Sequence, residues 1–221
     1  MLRYDVNYSI SVADGGEGTR FKLLLNAGAM NAILCGINGA VYRGRAELNE
    51  NLTWIAEHTN PGCCDGDLAG ADVFIGVSAP DVLRGQDVKT MNAGAIVFAL
   101  ANPRPEVDPD EAREYAALVA TGRSDYPNQI NDVLAFPGAF RGLFDAQSTT
   151  ITDAMPVAAA RTLAGVVPAG ELGPDYIIPS VFHPDVASGV AAAVREAAVA
   201  EAAKPVSADS KTSRVPSNTP R

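Results

Sequence analysis

Long apolar runs, cysteine pairs and basic surface are what this sequence is short of, and each shortage closes off a class of function. No apolar stretch approaches the roughly 20 residues that a bilayer-spanning helix needs. Met1-Leu2-Arg3-Tyr4-Asp5 lacks the apolar core of a signal peptide, so a cytoplasmic protein with no membrane partner is expected. Lysine and arginine number 17 against 26 acidic residues, a net charge of −9. A general nucleic-acid binder needs a basic face, so nucleic acid is not expected as a partner. The three cysteines, Cys35, Cys63 and Cys64, form no CxxC and have no histidines at ligand spacing. Zinc is therefore not implied, and buried or incidental thiols in a reducing compartment are the expectation. Neither a Ser-His-Asp set nor a metal-ligand cluster can be picked out. Asp125 and Asp132 stand seven residues apart with no pattern that assigns one as acid and the other as base.

What is present is core. Apolar residues make up 47% of 221, enough for one domain or at most two small ones. Asp72 to Pro80 holds a nearly continuous apolar run, Val73-Phe74-Ile75-Gly76-Val77, before Ser78. Such a run is covered on both faces, as in a parallel sheet. Ala95 to Leu100 repeats the pattern and ends in Ala101-Asn102-Pro103-Arg104-Pro105, whose prolines keep Asn102 at the strand's carboxyl end. A short helix is expected over 85–91. Another is expected over 110–117, with Asp108 as N-cap and Pro109 at its first position.

A third run, Ala117-Leu118-Val119-Ala120, leads into GRSDYPNQINDVLAFPG, residues 122–138, which sets Asn128, Gln129, Asn131 and Asp132 just before an apolar segment. Two readings stay open for this stretch: a ligand-facing loop of an open α/β sheet, or a solvated turn with a helix cap. With helices between them, the loops carrying Ser78, Asn102 and Asn131 are expected to meet at one sheet edge.

The first 20 residues fit less well. Tyr4, Val6, Tyr8, Ile10 and Val12 alternate with polar residues and predict a strand wet on one face, where a dinucleotide-binding sheet has a first strand covered on both. Gly16-Glu17-Gly18-Thr19-Arg20-Phe21 supplies only the first two glycines of a dinucleotide fingerprint, and an ordinary glycine turn fits as well. Ala32 to Cys35 predicts a short strand ending at Gly36, and 47–58 a helix in which Trp54 and His58 pack or face solvent. Downstream, helices are expected over 136–144, over 153–163 with Thr152 or Asp153 as cap, and over 184–203 with His183 as cap or surface residue. Residues 176–179 read as extended, and the chain from Lys204 on as disordered.

The stretches KLLLNAG, GADVFIGVSAP, IVFALANPRPE, VATGRSDYPNQIND, VLAFPGAFRG and PDYIIPSVFHPDVA carry a resemblance across residues 22–203. In this order they resemble the C-terminal, cofactor-binding half of bacterial malic enzymes. The resemblance implies an α/β fold, a Rossmann-like parallel sheet with flanking helices, here with its first βα unit degraded. The expected organisation is a divergent segment 1–20, an NAD(P)-binding domain 21–203 and a tail 204–221. The implied reaction is oxidation and decarboxylation of malate to pyruvate, with NAD or NADP and with Mg or Mn.

Gly76, Val77, Ser78, Ala79 and Asn102, with Gly16 and Gly18, would bind the cofactor. Asn102 and Asn131 would bind substrate. There are departures too: the glycine loop reads VADGGE at Val12 to Glu17, the acidic ribose ligand aligns with Gly36, and Asp132 replaces a second asparagine where a carboxylate would repel malate. The family's Tyr acid, Lys base and metal ligands have no counterpart in residues 1–20. The expectation is a truncated or frame-disrupted product, or a half-enzyme completed by a catalytic domain on another chain or by a homo-oligomer. A non-catalytic nucleotide-binding module stands as the alternative.

Overall fold

The computed structural model describes residues 8–12, 18–29, 31–36, 38–46, 48–59 and 68–203. Strands β1 (Tyr8–Val12), β2 (Ala32–Gly36), β3 (Gly39–Ala40), β4 (Val73–Val77), β5 (Ile96–Ala99) and β6 (Leu118–Thr121) form one sheet in the order β3-β2-β1-β4-β5-β6. Every neighbouring pair is parallel except the two-residue β3, which turns back antiparallel on β2. The order runs outward from β1 in both directions, which makes the β1–β4 boundary a topological switch point. The expected α/β parallel sheet is thus present.

Its first βα unit keeps its place. β1 lies inside the sheet, paired with β2 on one side and β4 on the other, and α1 (Gly18–Asn26) follows it. Two parallel neighbours put β1 at an inner position of the sheet. The loop between, 13–17, lies outside the described residues, as do Cys63, Cys64 and residues 204–221.

The two faces of β4 explain its continuous apolar run. Phe74 lies in one cluster with Val97 of β5 and Val119 of β6, its register partners across the sheet. Val88 and Ala112, from α3 (Gly85–Val88) and α4 (Pro109–Arg113), close that side. Ile75 and Val77 point the other way, toward Phe21 of α1 and Ile55 of α2 (Glu50–His58). Full burial of a side chain such as Phe74 contributes about 2–3 kcal/mol.

Helix ends follow local chemistry. Asn49 caps α2 by accepting from the Leu52 N–H at 2.9 Å. Asp108 caps α4 through the Asp110 and Glu111 N–H groups, as expected, with Pro109 behind it. α4 stops at Arg113, short of the expected 117, because Ala117 and Leu118 give their N–H groups to Ala95 O and enter β6. α3 also ends early, at Val88, where the Thr90 and Met91 N–H groups bond three residues back and tighten the chain into turns. Trp54 and His58 stack on α2 with ring centroids 4.0 Å apart, a packing pair as expected.

After β6 the chain forms α5 (Phe136–Asp145), α6 (Ala154–Val166) and α7 (Pro184–Ala202) around a separate apolar cluster that includes Met155, Val190 and Val194. Gly138 and Gly142 of α5 face α7 so closely that a Cβ on either would meet the carbonyl of Ala187 or Ala191. His183 caps α7 by accepting from the Asp185 N–H at 3.3 Å. α6 starts at Ala154 with no side-chain cap from Asp153. The segment expected to be extended over 176–179 forms no strand: Tyr176 makes one isolated bridge to Gly173, and a bend follows at 177–178. Among the described residues no helix is long and apolar enough to cross a membrane.

Candidate functional site

Parallel strands leave their carboxyl ends on one edge, and the loops after β4, β5 and β6 meet there around a cleft of about 440 Å³. Val77 and Ser78 come from β4 and its loop, Asn102 from the β5 loop, and Gly122, Asn131 and Asp132 from the stretch after β6. The three loops expected to converge do so. A larger groove, about 580 Å³, lies between α5 and α7, away from the strand ends; its Arg141 is already committed to Asp145 at 2.9 Å.

The stretch 122–138 reaches the cleft by folding back on β6. Ile130 N–H bonds Thr121 O at 2.7 Å, and Thr121 bridges Gln129 in parallel. The turn between is braced by Arg123, whose Nε donates to Asp125 at 2.8 Å. That hydrogen bond holds the Asp125 carboxyl below the usual carboxylate range. Tyr126 donates to Asp110 at 3.3 Å, and desolvation pushes its phenol upward.

The polar residues singled out here do different things. Asn128 is buried, with 5% of its surface exposed and φ at +57°. Its Nδ2 donates to Val119 O at 3.3 Å and Pro174 O at 2.7 Å, and its Oδ1 accepts from the Ile177 N–H at 3.0 Å. It therefore staples the turns before α7 onto β6 and faces no ligand. Asn131 is exposed at the cleft and caps a 3₁₀ turn, Asp132–Leu134, by accepting from the Val133 N–H at 3.0 Å. The cap reading holds for Asn131 through Oδ1, and the same residue lines the cleft. Asp132 sits beside it, exposed.

Of the other residues singled out, Val77, Ser78 and Asn102 line the cleft with Asn131. The Asn102–Pro103 peptide is cis. Gly76 is buried in β4, and Ala79 is exposed beyond the cleft lining. Gly18 opens α1, Gly36 ends β2, and Gly16 lies outside the described residues. No three His, Cys, Asp or Glu side chains among the described residues come together as a metal ion requires.

Sequence reasoning missed Glu106, which is fully buried beneath the cleft. Its Oε1 accepts from the Ser78 N–H at 2.8 Å and its Oε2 from the Ala101 N–H at 3.0 Å. The available signal was Gly76: an isolated glycine inside an apolar strand often marks close approach of another group. A Cβ there would overlap the Glu106 carboxyl.

Residues 68–199 match the family model described as malic enzyme, NAD binding domain. The chain is 52% identical over 183 residues to the NAD-dependent malic enzyme of Geobacillus stearothermophilus, covering 80% of this chain and 38% of that enzyme. It is 44% identical over 201 residues to the bifunctional malic/malolactic enzyme of Bacillus subtilis, covering 86% and 49%. The crystal structure of the NAD-dependent malic enzyme from Thermotoga maritima superposes with a TM-score of 0.79 at 37% identity, over 88% of this chain and 52% of that one. The chain thus spans about half the length of these relatives, or less.

Proposed function

This chain belongs to the malic enzyme family through its NAD-binding domain, and we propose that the cleft at the ends of β4, β5 and β6 holds the nicotinamide end of NAD or NADP together with a small hydroxy acid. One observation carries the reading: three successive parallel strands deliver Ser78, Asn102 and Asn131 to the same cleft. Asparagine amides donate to a ribose hydroxyl, a carboxamide or a carboxylate without titrating near neutral pH. Asn102 is assigned to the nicotinamide ribose and substrate, and Asn131 to the substrate carboxylate. Bound NAD(P) supplies the hydride acceptor for malate oxidation, and this chain's residues hold and orient the two partners.

The acid, the base and the metal ligands of the family reaction are assigned to the part of the family fold outside the matched length. The described residues bring together no group of three His, Cys, Asp or Glu side chains to hold Mg or Mn. The family reaction, oxidative decarboxylation of malate to pyruvate in the cytoplasm, is thus proposed for the assembled enzyme. Calorimetric titration of the purified chain with NAD and with NADP tests the reading. Saturable binding of at least one is expected, weakened about tenfold by Asn102→Ala, a loss of roughly 1.4 kcal/mol for one hydrogen-bonding side chain. Absence of heat with both cofactors would sink it.

A further inference from the structure

The last ladder bond between β4 and β5 runs from the Leu100 N–H to Gly76 O at 3.0 Å. Beyond it the strands part to open the cleft, and the N–H groups of Ser78 and Ala101 both turn to the Glu106 carboxylate. Both donors are half-buried, where an acceptor fixed by the protein is worth more than one in open water. Glu106 answers both at once, one carboxylate oxygen on each, with the Ser78 hydroxyl 3.5 Å from the first. Carboxylate bonds to backbone N–H groups are charge-assisted, and a buried carboxyl needs them. The side chain fits only because β4 has glycine at 76. Its own backbone is fixed in turn: Glu106 O accepts from the Leu83 N–H at 2.9 Å, and Pro105 O from the Asp81 N–H at 3.2 Å.

We propose that Glu106 is a positioning residue for the cleft, a carboxylate brace that sets the separation of the β4 and β5 loops and so of Ser78 and Asn102. The brace also occupies the strand-end N–H groups, which leaves side chains to meet the ligand. Gly76 then serves the cofactor indirectly, by making room for the brace. This inference rests on the reading of the cleft as the NAD(P) site.

Glu106→Gln and Gly76→Ala test it by separate routes. Glutamine keeps the shape but has one acceptor oxygen, so its NH2 meets one of the two N–H groups donor to donor. Alanine at 76 displaces the carboxyl without changing it. Two readouts are needed: amide hydrogen exchange at Ser78, Ala101 and Val97, and NAD affinity by calorimetry. In both variants the exchange of Ser78 or Ala101 is expected to rise about tenfold or more while Val97, in the core of β5, keeps its protection. NAD affinity is expected to fall about tenfold with it.

Unchanged exchange at both amides in Glu106→Gln would overturn the brace, whether or not the chain binds NAD. An equal rise at Val97 would reduce Glu106 to general stability. Faster exchange with undiminished NAD affinity would refute its role in positioning. If the unmodified chain bound no cofactor, the reading of the cleft would fall, and the exchange data would still decide whether the brace exists.

Discussion

Asn128→Ala is expected to destabilise the chain by about 3 kcal/mol or more in denaturant unfolding. Three backbone groups lose a partner together: Val119 O and Pro174 O as acceptors, and the Ile177 N–H as donor. Leaving one such group unsatisfied costs about 1–3 kcal/mol when buried. Alanine also tolerates the left-handed backbone at φ +57° less well than asparagine, by roughly 1 kcal/mol. Asn128→Gly separates the two effects, since glycine removes the backbone penalty and keeps the hydrogen-bond loss. Asn128→Asp keeps the acceptor for Ile177 and turns the donor into an oxygen facing two carbonyls, so it should resemble alanine more than asparagine. A loss under about 1 kcal/mol in the alanine variant would mean that the turns before α7 do not depend on this staple.

The second large effect is expected at Gly142. In an open helix interior, glycine to alanine stabilises by up to about 1 kcal/mol. At 142 the new Cβ would sit 2.5 Å from Ala191 O and 2.9 Å from Val194 Cβ, so α5 and α7 must separate. Overpacking of this kind costs about 1–3 kcal/mol, and the sign of the substitution should reverse. Gly165 of α6 supplies the control, because nothing lies within 4 Å of its would-be Cβ. Thermal unfolding of Gly142→Ala and Gly165→Ala should therefore move in opposite directions. If both raise the melting temperature, the close contact of α5 with α7 is not present in solution.

Strands on both-faced apolar runs were legible because burial on two faces leaves no polar positions, as in Val73–Val77 and Ile96–Ala99. Asp108 and His183 were legible as caps because capping is a local event, settled within three residues. The convergence of Ser78, Asn102 and Asn131 followed from parallel topology alone. What stayed hidden depends on distant partners. Asn128 and Asn131 look alike in sequence, yet one is held inward by Pro174 and Ile177, nearly fifty residues on, and the other caps its own turn. Glu106 was not singled out, since its partners at Ser78 and Ala101 come from the loops after two different strands. The one bond that Ile177 makes to Asn128, in place of a ladder, explains why 176–179 is not the extended segment its apolar residues suggested.

NAD titration followed by backbone amide chemical shifts tests the central claim most directly. The cleft predicts saturable shifts at Ser78, Asn102 and Asn131, with the α5–α7 groove at Arg141 and Arg195 unmoved. Shifts at Arg141 and Arg195 with none at the ends of β4, β5 and β6 would contradict it.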